Sequence, residues 1–170
     1  SDSIRDEAGR RGSVVHNLTE QLDFGAEVRM CNDDGSPRYK MSEWAMLERY
    51  VEFRKTHTPR IVDIETNLVD SGLGFAGTLD RVVEFKGDIW ILDIKTSAAI
   101  YDHFELQLIA YWQLYCTLNK IPHDTSLKFR LGILWLNAKT KTEGKGGAVQ
   151  GKGWQLVEVT TPKDHLLKLW

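Results

Sequence analysis

Three charged side chains occupy positions where an apolar strand would be expected to carry hydrophobic residues: Asp80, Asp93 and Lys95. Asp80 ends a Gly-Thr-Leu-Asp stretch, and the other two lie in the Ile-Leu-Asp-Ile-Lys-Thr stretch that begins at Ile91. Side chains alternate between the two faces of a strand, so Asp93 and Lys95 project on the same side. Because charges are costly to remove from water, a core strand retains them where they are paired, bind a metal or do chemistry. These residues therefore mark a candidate site.

Three strands must position these residues. Residues 60–69, 75–85 and 88–95 are rich in β-branched and aromatic side chains and follow a period of two. The breaks between them are short and contain glycine, which favours antiparallel pairing of neighbours along the chain. The sequence therefore predicts an antiparallel meander that carries the acids.

Helices are predicted on both sides of this meander. Residues 13–22, with Ser13 as N-cap, and residues 42–55, with Ser42 as N-cap, have apolar side chains at helical spacing. Residues 102–119 are apolar around nearly the whole circumference, as expected of a helix packed on several sides. This last helix is predicted to cover the sheet.

The C-terminal part predicts two more strands. Residues 127–136 and 155–160 alternate in polarity, and Thr161 is predicted to open a final helix. Residues 139–153 are rich in glycine and lysine and are predicted to form a mobile loop that is either merely solvated or follows phosphates. The whole order predicts an α/β fold in which a mixed central sheet of about five strands is flanked by helices.

Size and charge limit the functional classes. The chain has 170 residues, 42% of them hydrophobic, and a formal net charge of −2. One sizeable core fits this length, so residues 1–170 are predicted to form a single domain. The chain has no overall positive charge that would indicate a nucleic-acid partner, although local basic patches could still bind nucleic acid. Because the chain begins with Ser1 and ends in an amphipathic pattern, both a processed product and a fragment stay open.

The number of cysteines and the hydropathy of the chain bear on the cellular compartment in which the protein is expected. Cys31 and Cys116 are too few for a disulfide framework, a four-cysteine zinc site or a four-cysteine iron–sulfur cluster. No apolar run approaches the length of a membrane span, and the N-terminus lacks a signal-peptide core. We expect no membrane partner and a cytoplasmic or other reduced intracellular location, which would be the host cell if a phage encodes the chain.

The charged positions, taken in order, resemble the motifs of the PD-(D/E)xK nuclease superfamily. These motifs are Gly-x-x-Asp, then Asp-x-Lys after a strand and a turn, then Gln-x-x-x-Tyr on the following helix. The matching residues are Gly77, Asp80, Asp93, Lys95, Gln107 and Tyr111. Each motif alone is common, but their order on the expected elements is specific. The resemblance implies a restriction-endonuclease-like core.

Within that superfamily, the chain is most similar to the RecB-like branch, which includes CRISPR-adaptation nucleases and the mitochondrial genome-maintenance exonuclease. That branch places a histidine on its first helix after an Arg-Gly pair, and Arg11-Gly12 followed by His16 fits. Leu79 stands where the superfamily name has proline, as is common in this branch. The branch's iron–sulfur members have four cysteines, so no cluster is expected here.

The resemblance implies a metal site for phosphodiester hydrolysis. Asp80 and Asp93 would supply hard oxygen ligands for Mg²⁺ or Mn²⁺, with the Ile94 carbonyl and His16 completing the shell. Lys95 would orient or deprotonate the attacking water and offset charge on the phosphoryl oxygens. Phosphodiester hydrolysis needs these groups because the attacking water must be deprotonated and the negative charge that develops around phosphorus must be stabilised.

Three further side chains are predicted to take part in the reaction. Gln107 and Tyr111 share one helical face and would hold Lys95 or the DNA backbone. Glu65 lies on the preceding strand, where the family often has an acid.

Each assignment has a simpler alternative. Asp93 and Lys95 could form an exposed ion pair at a strand end, and His16 could be an ordinary helical histidine. Glu65 could be a solvated strand residue. Gln107 and Tyr111 could be polar tips on a buried helix.

The leading functional hypothesis is a metal-dependent deoxyribonuclease, an exonuclease that processes DNA ends or single strands in recombination, repair or phage replication. The alternatives are a structure-specific or restriction-like endonuclease and a noncatalytic nucleic-acid-binding module that keeps the fold. No helicase motif is present, so strand separation would need a helicase, recombinase or single-strand-binding partner. Ring-forming relatives leave an oligomer open.

Overall fold

The computed structural model describes residues 2–72, 74–141, 149–160 and 163–164. Its elements, in chain order, are α1 (Asp2–Asp23), α2 (Met41–His57), β1 (Arg60–Asp70), β2 (Phe75–Phe85), β3 (Asp88–Lys95), α3 (His103–Leu118), α4 (His123–Ser126), β4 (Arg130–Lys141) and β5 (Val149–Glu158).

The chain divides into two compact units. The first unit is Ser1–Thr58, Lys95–Ala99 and Trp135–Gln155, and the second unit is Pro59–Ile94, Ile100–Leu134 and Leu156–Trp170. The boundaries fall within β3, β4 and β5, so a strand can belong to both units.

The sheet contains five strands in the order β1-β2-β3-β4-β5, which is also their order along the chain. β2 pairs with β1 and with β3, in both cases antiparallel, and Arg81 is opposite Ile64 on one side and Leu92 on the other. The predicted antiparallel meander is confirmed. The prediction of an α/β fold with a mixed central sheet flanked by helices is also confirmed.

In the second unit, α3 packs against β1. The helix presents buried side chains around most of its circumference, as its apolar sequence predicts. Strand side chains that are at most 1% exposed include Leu68, Leu79, Val82, Val83, Ile91 and Leu92. Because consecutive residues such as Val82 and Val83 project to opposite faces, the strands that carry the acids are buried on both faces.

In the first unit, α1 packs against α2. The C-terminal end of α1 is secured by Asp23, whose side chain is fully buried and lies 2.9 Å from Arg54 Nη1. The hydroxyl of Tyr50 donates a hydrogen bond to the same carboxylate. Buried apolar side chains between the two helices include Val15, Leu18, Met46, Leu47 and Phe53.

Both predicted N-caps are wrong. α1 begins at Asp2, and Ser13 lies inside it, where its hydroxyl donates to the carbonyl of Gly9 at 3.1 Å. α2 is capped at Lys40 rather than Ser42, because Glu43 Oε1 accepts the Lys40 N–H at 2.8 Å. Glu43 is only 2% exposed, and its second oxygen accepts from Arg10 Nη2 at 2.6 Å. An acid three residues into the helix thus acts as the cap.

The C-terminal strands differ from their predicted bounds. β4 begins at Arg130 rather than at residue 127 and continues to Lys141, and β5 begins at Val149 and ends at Glu158. The predicted loop of residues 139–153 is therefore wrong at both ends, since pairing in the sheet outweighs the glycine and lysine content. Residues 142–148 lie outside the described residues. Of the helix predicted from Thr161, only Lys163 and Asp164 are described, and both are helical.

Among the described parts of the chain, no helix combines the length and the apolar character needed to cross a bilayer.

Candidate active site

Asp80 and Asp93 lie on adjacent antiparallel strands of the second unit. Each is the next residue beyond the registered pair Arg81–Leu92, so the two acids occupy neighbouring positions across β2 and β3. Both are buried, with 6% and 4% of their surfaces exposed. The backbone N–H of Ile94 donates to Asp80 Oδ2 at 2.7 Å, which fixes the orientation of this carboxylate.

Glu65 brings a third acid to the same place. It lies on β1 between the registered pairs Ile64–Arg81 and Thr66–Leu79, which puts it across from Asp80. A carboxylate oxygen of Glu65 lies within 4.8 Å of one on Asp80. The backbone of Glu65 has a φ of 48°, a left-handed conformation that is rare for a residue with a side chain inside a strand. Such a conformation costs about 1–3 kcal/mol and is concentrated at functional sites.

Arg81 holds this arrangement from inside the core. Its side chain is fully buried, and Nη1 donates to Glu65 Oε1 at 3.1 Å and to the carbonyl of Asp80 at 2.7 Å. A buried guanidinium needs an anionic partner, so the ion pair with Arg81 is by itself a sufficient reason for an acid at position 65, without any metal. The left-handed φ and the short distance to Asp80 are what support a further role. Arg81 was not among the predicted site residues, although a charged residue directly after Asp80 in an apolar run was a usable signal.

α3 contributes a tyrosine and a glutamine to the acid-bearing strands. Gln107 Nε2 donates to the Tyr111 hydroxyl at 2.9 Å, as their spacing of four residues allows. Burial, together with the negative charges of Asp93 and Asp80, raises the pKa of Tyr111 to about 12. Tyr111 is therefore a neutral phenol at physiological pH, with an O–H to donate.

Gly77 explains the glycine of the Gly-x-x-Asp motif. A Cβ at this position would lie 2.9 Å from Tyr111 Cε1 and 3.2 Å from its hydroxyl oxygen. A Cβ this close would force the ring or the strand to shift, so glycine is what allows the Tyr111 ring to approach β2 this closely. The first and third sequence motifs are thus two halves of one packing contact.

His16 and Lys95 belong to the first unit. His16 is partly buried on α1, and Lys95 is partly buried at the end of β3. The next residue, Thr96, accepts hydrogen bonds at its carbonyl from Arg11 Nη2 at 3.3 Å and from Asn137 Nδ2 at 3.2 Å. Neither donor was predicted to secure the segment after Lys95.

The glycine of the Arg-Gly pair, Gly12, is explained by close packing against Thr96. A Cβ on Gly12 would lie 3.2 Å from the hydroxyl oxygen of Thr96, tighter than ordinary van der Waals contact. Glycine here lets α1 come close to the segment that follows Lys95, while Arg11 bonds to that segment. The metal role of His16 and the catalytic role of Lys95 stay predictions.

The donor set of the second unit suits a hard divalent cation. Mg²⁺ and Mn²⁺ prefer carboxylate and carbonyl oxygens, and the carboxylates of Glu65 and Asp80 come close enough to share one ion. Arg81 pairs with Glu65, and a metal ion shared by the two carboxylates would further offset the repulsion between like charges this close. The residues present therefore fit a bound divalent metal.

Comparison with known proteins gives one family. No curated protein matches the sequence. The chain is similar to a solved structure, the crystal structure of SSO0001, with 13% sequence identity and a TM-score of 0.33. That match covers 75% of this chain and 55% of the solved one, so this chain spans about half the length of that protein. The sequence model of the PD-(D/E)xK nuclease superfamily matches residues 2–169. The chain belongs to the PD-(D/E)xK nuclease superfamily.

Proposed function

We propose that this chain is a metal-dependent deoxyribonuclease of the RecB-like branch, an exonuclease that hydrolyses phosphodiester bonds at DNA ends or in single strands. The observation that supports it most is the convergence of Glu65 and Asp80, whose carboxylate oxygens approach within 4.8 Å beside a strained backbone. Membership of a nuclease superfamily supplies the reaction class. Residues 1–170 would form one nuclease domain, since the family match spans nearly all of them.

The proposed metal ligands are Asp80, Asp93 and the Ile94 carbonyl, with Glu65 added by its position and His16 by the sequence pattern. An Mg²⁺ or Mn²⁺ ion held there would act as a Lewis acid on the phosphoryl oxygen and would lower the pKa of a bound water. The Ile94 N–H keeps Asp80 turned in one orientation, which a ligand must have before the ion binds.

Two side chains are proposed to handle protons and charge. Lys95 follows Asp93 by two residues on β3, so alternation presents both on one face. As an ammonium it would orient the attacking water and offset negative charge on the phosphoryl oxygens, and as a neutral amine it would accept a proton from that water. Tyr111, held by Gln107, stays protonated and donates a hydrogen bond to a phosphoryl oxygen or positions Lys95.

The test uses end-labelled DNA, single-stranded and duplex, with Mg²⁺, with Mn²⁺ or with a chelator. We expect the parent to release labelled products only with metal, and Asp93→Asn and Lys95→Ala to lose this activity. Asp124→Asn and Lys128→Ala change exposed residues of the same types and serve as matched controls that keep the parent's activity. A circular single strand should survive, because an exonuclease needs an end.

Two results would count against the proposal. If the parent cleaves nothing with either metal, the chain is a noncatalytic member of the superfamily. If it opens the circle, it is an endonuclease.

A further inference from the structure

Two exposed aromatic rings lie one against the other just before and at the start of α3. The rings of Tyr101 and His103 are nearly parallel, with an interplanar angle of 12° and centroids 5.8 Å apart. Tyr101 is 49% exposed, and His103 is exposed as well. An exposed aromatic side chain alone is ordinary on a protein surface. A stacked pair whose rings reach solvent is a more specific arrangement.

Phe104 fixes both rings from below. It is buried, and its ring meets Tyr101 edge-on at 5.4 Å and His103 edge-on at 4.7 Å. The N–H of Phe104 also donates to the carbonyl of Tyr101 at 3.0 Å, which closes the turn that leads into the helix. The pair is therefore pre-organised, and a ligand that stacks on it loses little side-chain entropy on binding.

The aromatic pair lies on the same helix face as two of the candidate site residues. His103, Gln107 and Tyr111 follow one another at intervals of four residues, so they line one side of α3. Two helical turns separate His103 from Tyr111, or roughly 12 Å along the axis at 1.5 Å per residue. A polymer that passes along this face from Tyr111 therefore reaches the pair within a few nucleotides.

The charges around the pair favour a base over a phosphate. Asp102, which separates Tyr101 from His103 in the sequence, is exposed, and Glu105 is partly exposed about one helical turn after it. Their carboxylates would repel a phosphate, whereas an aromatic face attracts any nucleobase through stacking. Recognition by stacking alone requires bases that are not already stacked in a duplex, which means a single strand.

We propose that Tyr101 and His103 form a stacking platform for a base of single-stranded DNA, a few nucleotides from the bond to be cleaved. This inference rests on the proposed nuclease function for its ligand class. It adds a binding subsite and a preference: the platform favours single strands and frayed ends over intact duplex.

The platform is tested without cleavage, in a chelator, with oligonucleotides that carry 2-aminopurine at successive positions. Stacking quenches the fluorescence of this base. We expect the parent to quench it at one or two adjacent positions. We also expect Tyr101→Ala to abolish that quenching and to weaken binding roughly 5- to 150-fold, the range that stacking of one base supplies. Tyr101→Phe keeps the ring and should behave as the parent.

Phe24→Ala removes an aromatic side chain that is 67% exposed and is the matched control, expected to leave binding and quenching unchanged. The proposal is overturned if the parent shows no quenching, or if Tyr101→Ala, with an unchanged melting temperature, binds and quenches as the parent does. Cleavage by the parent is measured separately. Quenching through Tyr101 without cleavage by the parent would reject the nuclease and keep the platform, while cleavage by a parent that shows no quenching would reject the platform and keep the nuclease.

Discussion

Buried acids occur in both units, but their surroundings differ. In the first unit, Glu43 lies 2.6 Å from Arg10, and Asp23 lies 2.9 Å from Arg54. Each of these acids secures a helix end and meets a cation of its own. In the second unit, the buried Asp80 and Asp93 and the partly buried Glu65 come from three adjacent strands. Glu65 pairs with Arg81, but it also approaches Asp80.

This difference separates a structural acid from a candidate catalytic one. Glu43 lies at a helix N-terminus, where the helix dipole also favours a carboxylate, whereas Asp23 lies at a C-terminus and depends on its guanidinium partner. Carboxylates that approach each other raise the free energy of the folded state, and a bound cation relieves that cost. Burial of an acid alone is therefore a weak sign of function. Convergence of acids, together with the left-handed backbone of Glu65, is a stronger one.

The largest expected effect compares one acid from each unit. Asp80→Asn should lower kcat/KM at least about 100-fold, as expected for a residue that holds the metal, while thermal stability stays equal or rises because one repelling charge is gone. Glu43→Gln should keep the cleavage rate but lose about 1–3 kcal/mol of stability, since Arg10 keeps a weaker partner. Steady-state kinetics and thermal melts measure both. Equal loss of activity in the two variants would remove the distinction between the units.

The next effect concerns the cation inside the acid cluster. Arg81→Met should destabilise the fold by about 3–5 kcal/mol, because it leaves the partly buried Glu65 next to the buried Asp80 without the guanidinium. Added Mn²⁺ should restore more stability to this variant than it adds to the parent. Urea unfolding with and without Mn²⁺ tests this. Arg60→Met breaks an exposed ion pair with Glu84 and should cost less than about 1 kcal/mol. No difference between the two variants would mean that Arg81 does not stabilise the acids.

The smallest effect sharpens the role of the Gly-x-x-Asp glycine. Gly77→Ala should cost about 1–3 kcal/mol, because the new methyl group would meet the Tyr111 ring at 2.9 Å. Gly9→Ala is the matched control: a Cβ there has nothing within 4 Å, and alanine in a helix should stabilise by up to about 1 kcal/mol. In a Tyr111→Ala background, the cost of Gly77→Ala should largely disappear. A cost that persists there would place the strain in the backbone rather than in the contact.

The middle of the fold follows from its sequence, and the ends do not. β1, β2 and β3 lie within one residue of their predicted bounds, because period-two apolar runs separated by short glycine-containing breaks leave few alternatives. The first half of α1 was missed because residues 2–10 are exposed all round and carry no apolar stripe. The extension of β4 was missed because pairing with a neighbouring strand is not visible in local composition.

The candidate site was also predictable only in part. The motifs single out Asp80, Asp93, Gln107 and Tyr111, and the structure brings Tyr111 into the electrostatic reach of both aspartates. The charge of Arg81 in an apolar run was a usable signal, but its contact with Glu65 was not predictable, since alternation alone does not tell a buried arginine from an exposed one. The left-handed φ of Glu65 was not predictable either, because it is imposed by the structure around β1 and opposes the intrinsic backbone preference of glutamate.

The strand order has a consequence for folding. All three acids lie on β1, β2 and β3, which pair as neighbours along the chain through short connections. Closing such short loops costs little entropy, and local pairings of this kind form fastest. The acids are therefore brought together when the two hairpins form, and their repulsion acts at that step. The longer connection through α3, which must close before β4 can pair, comes later.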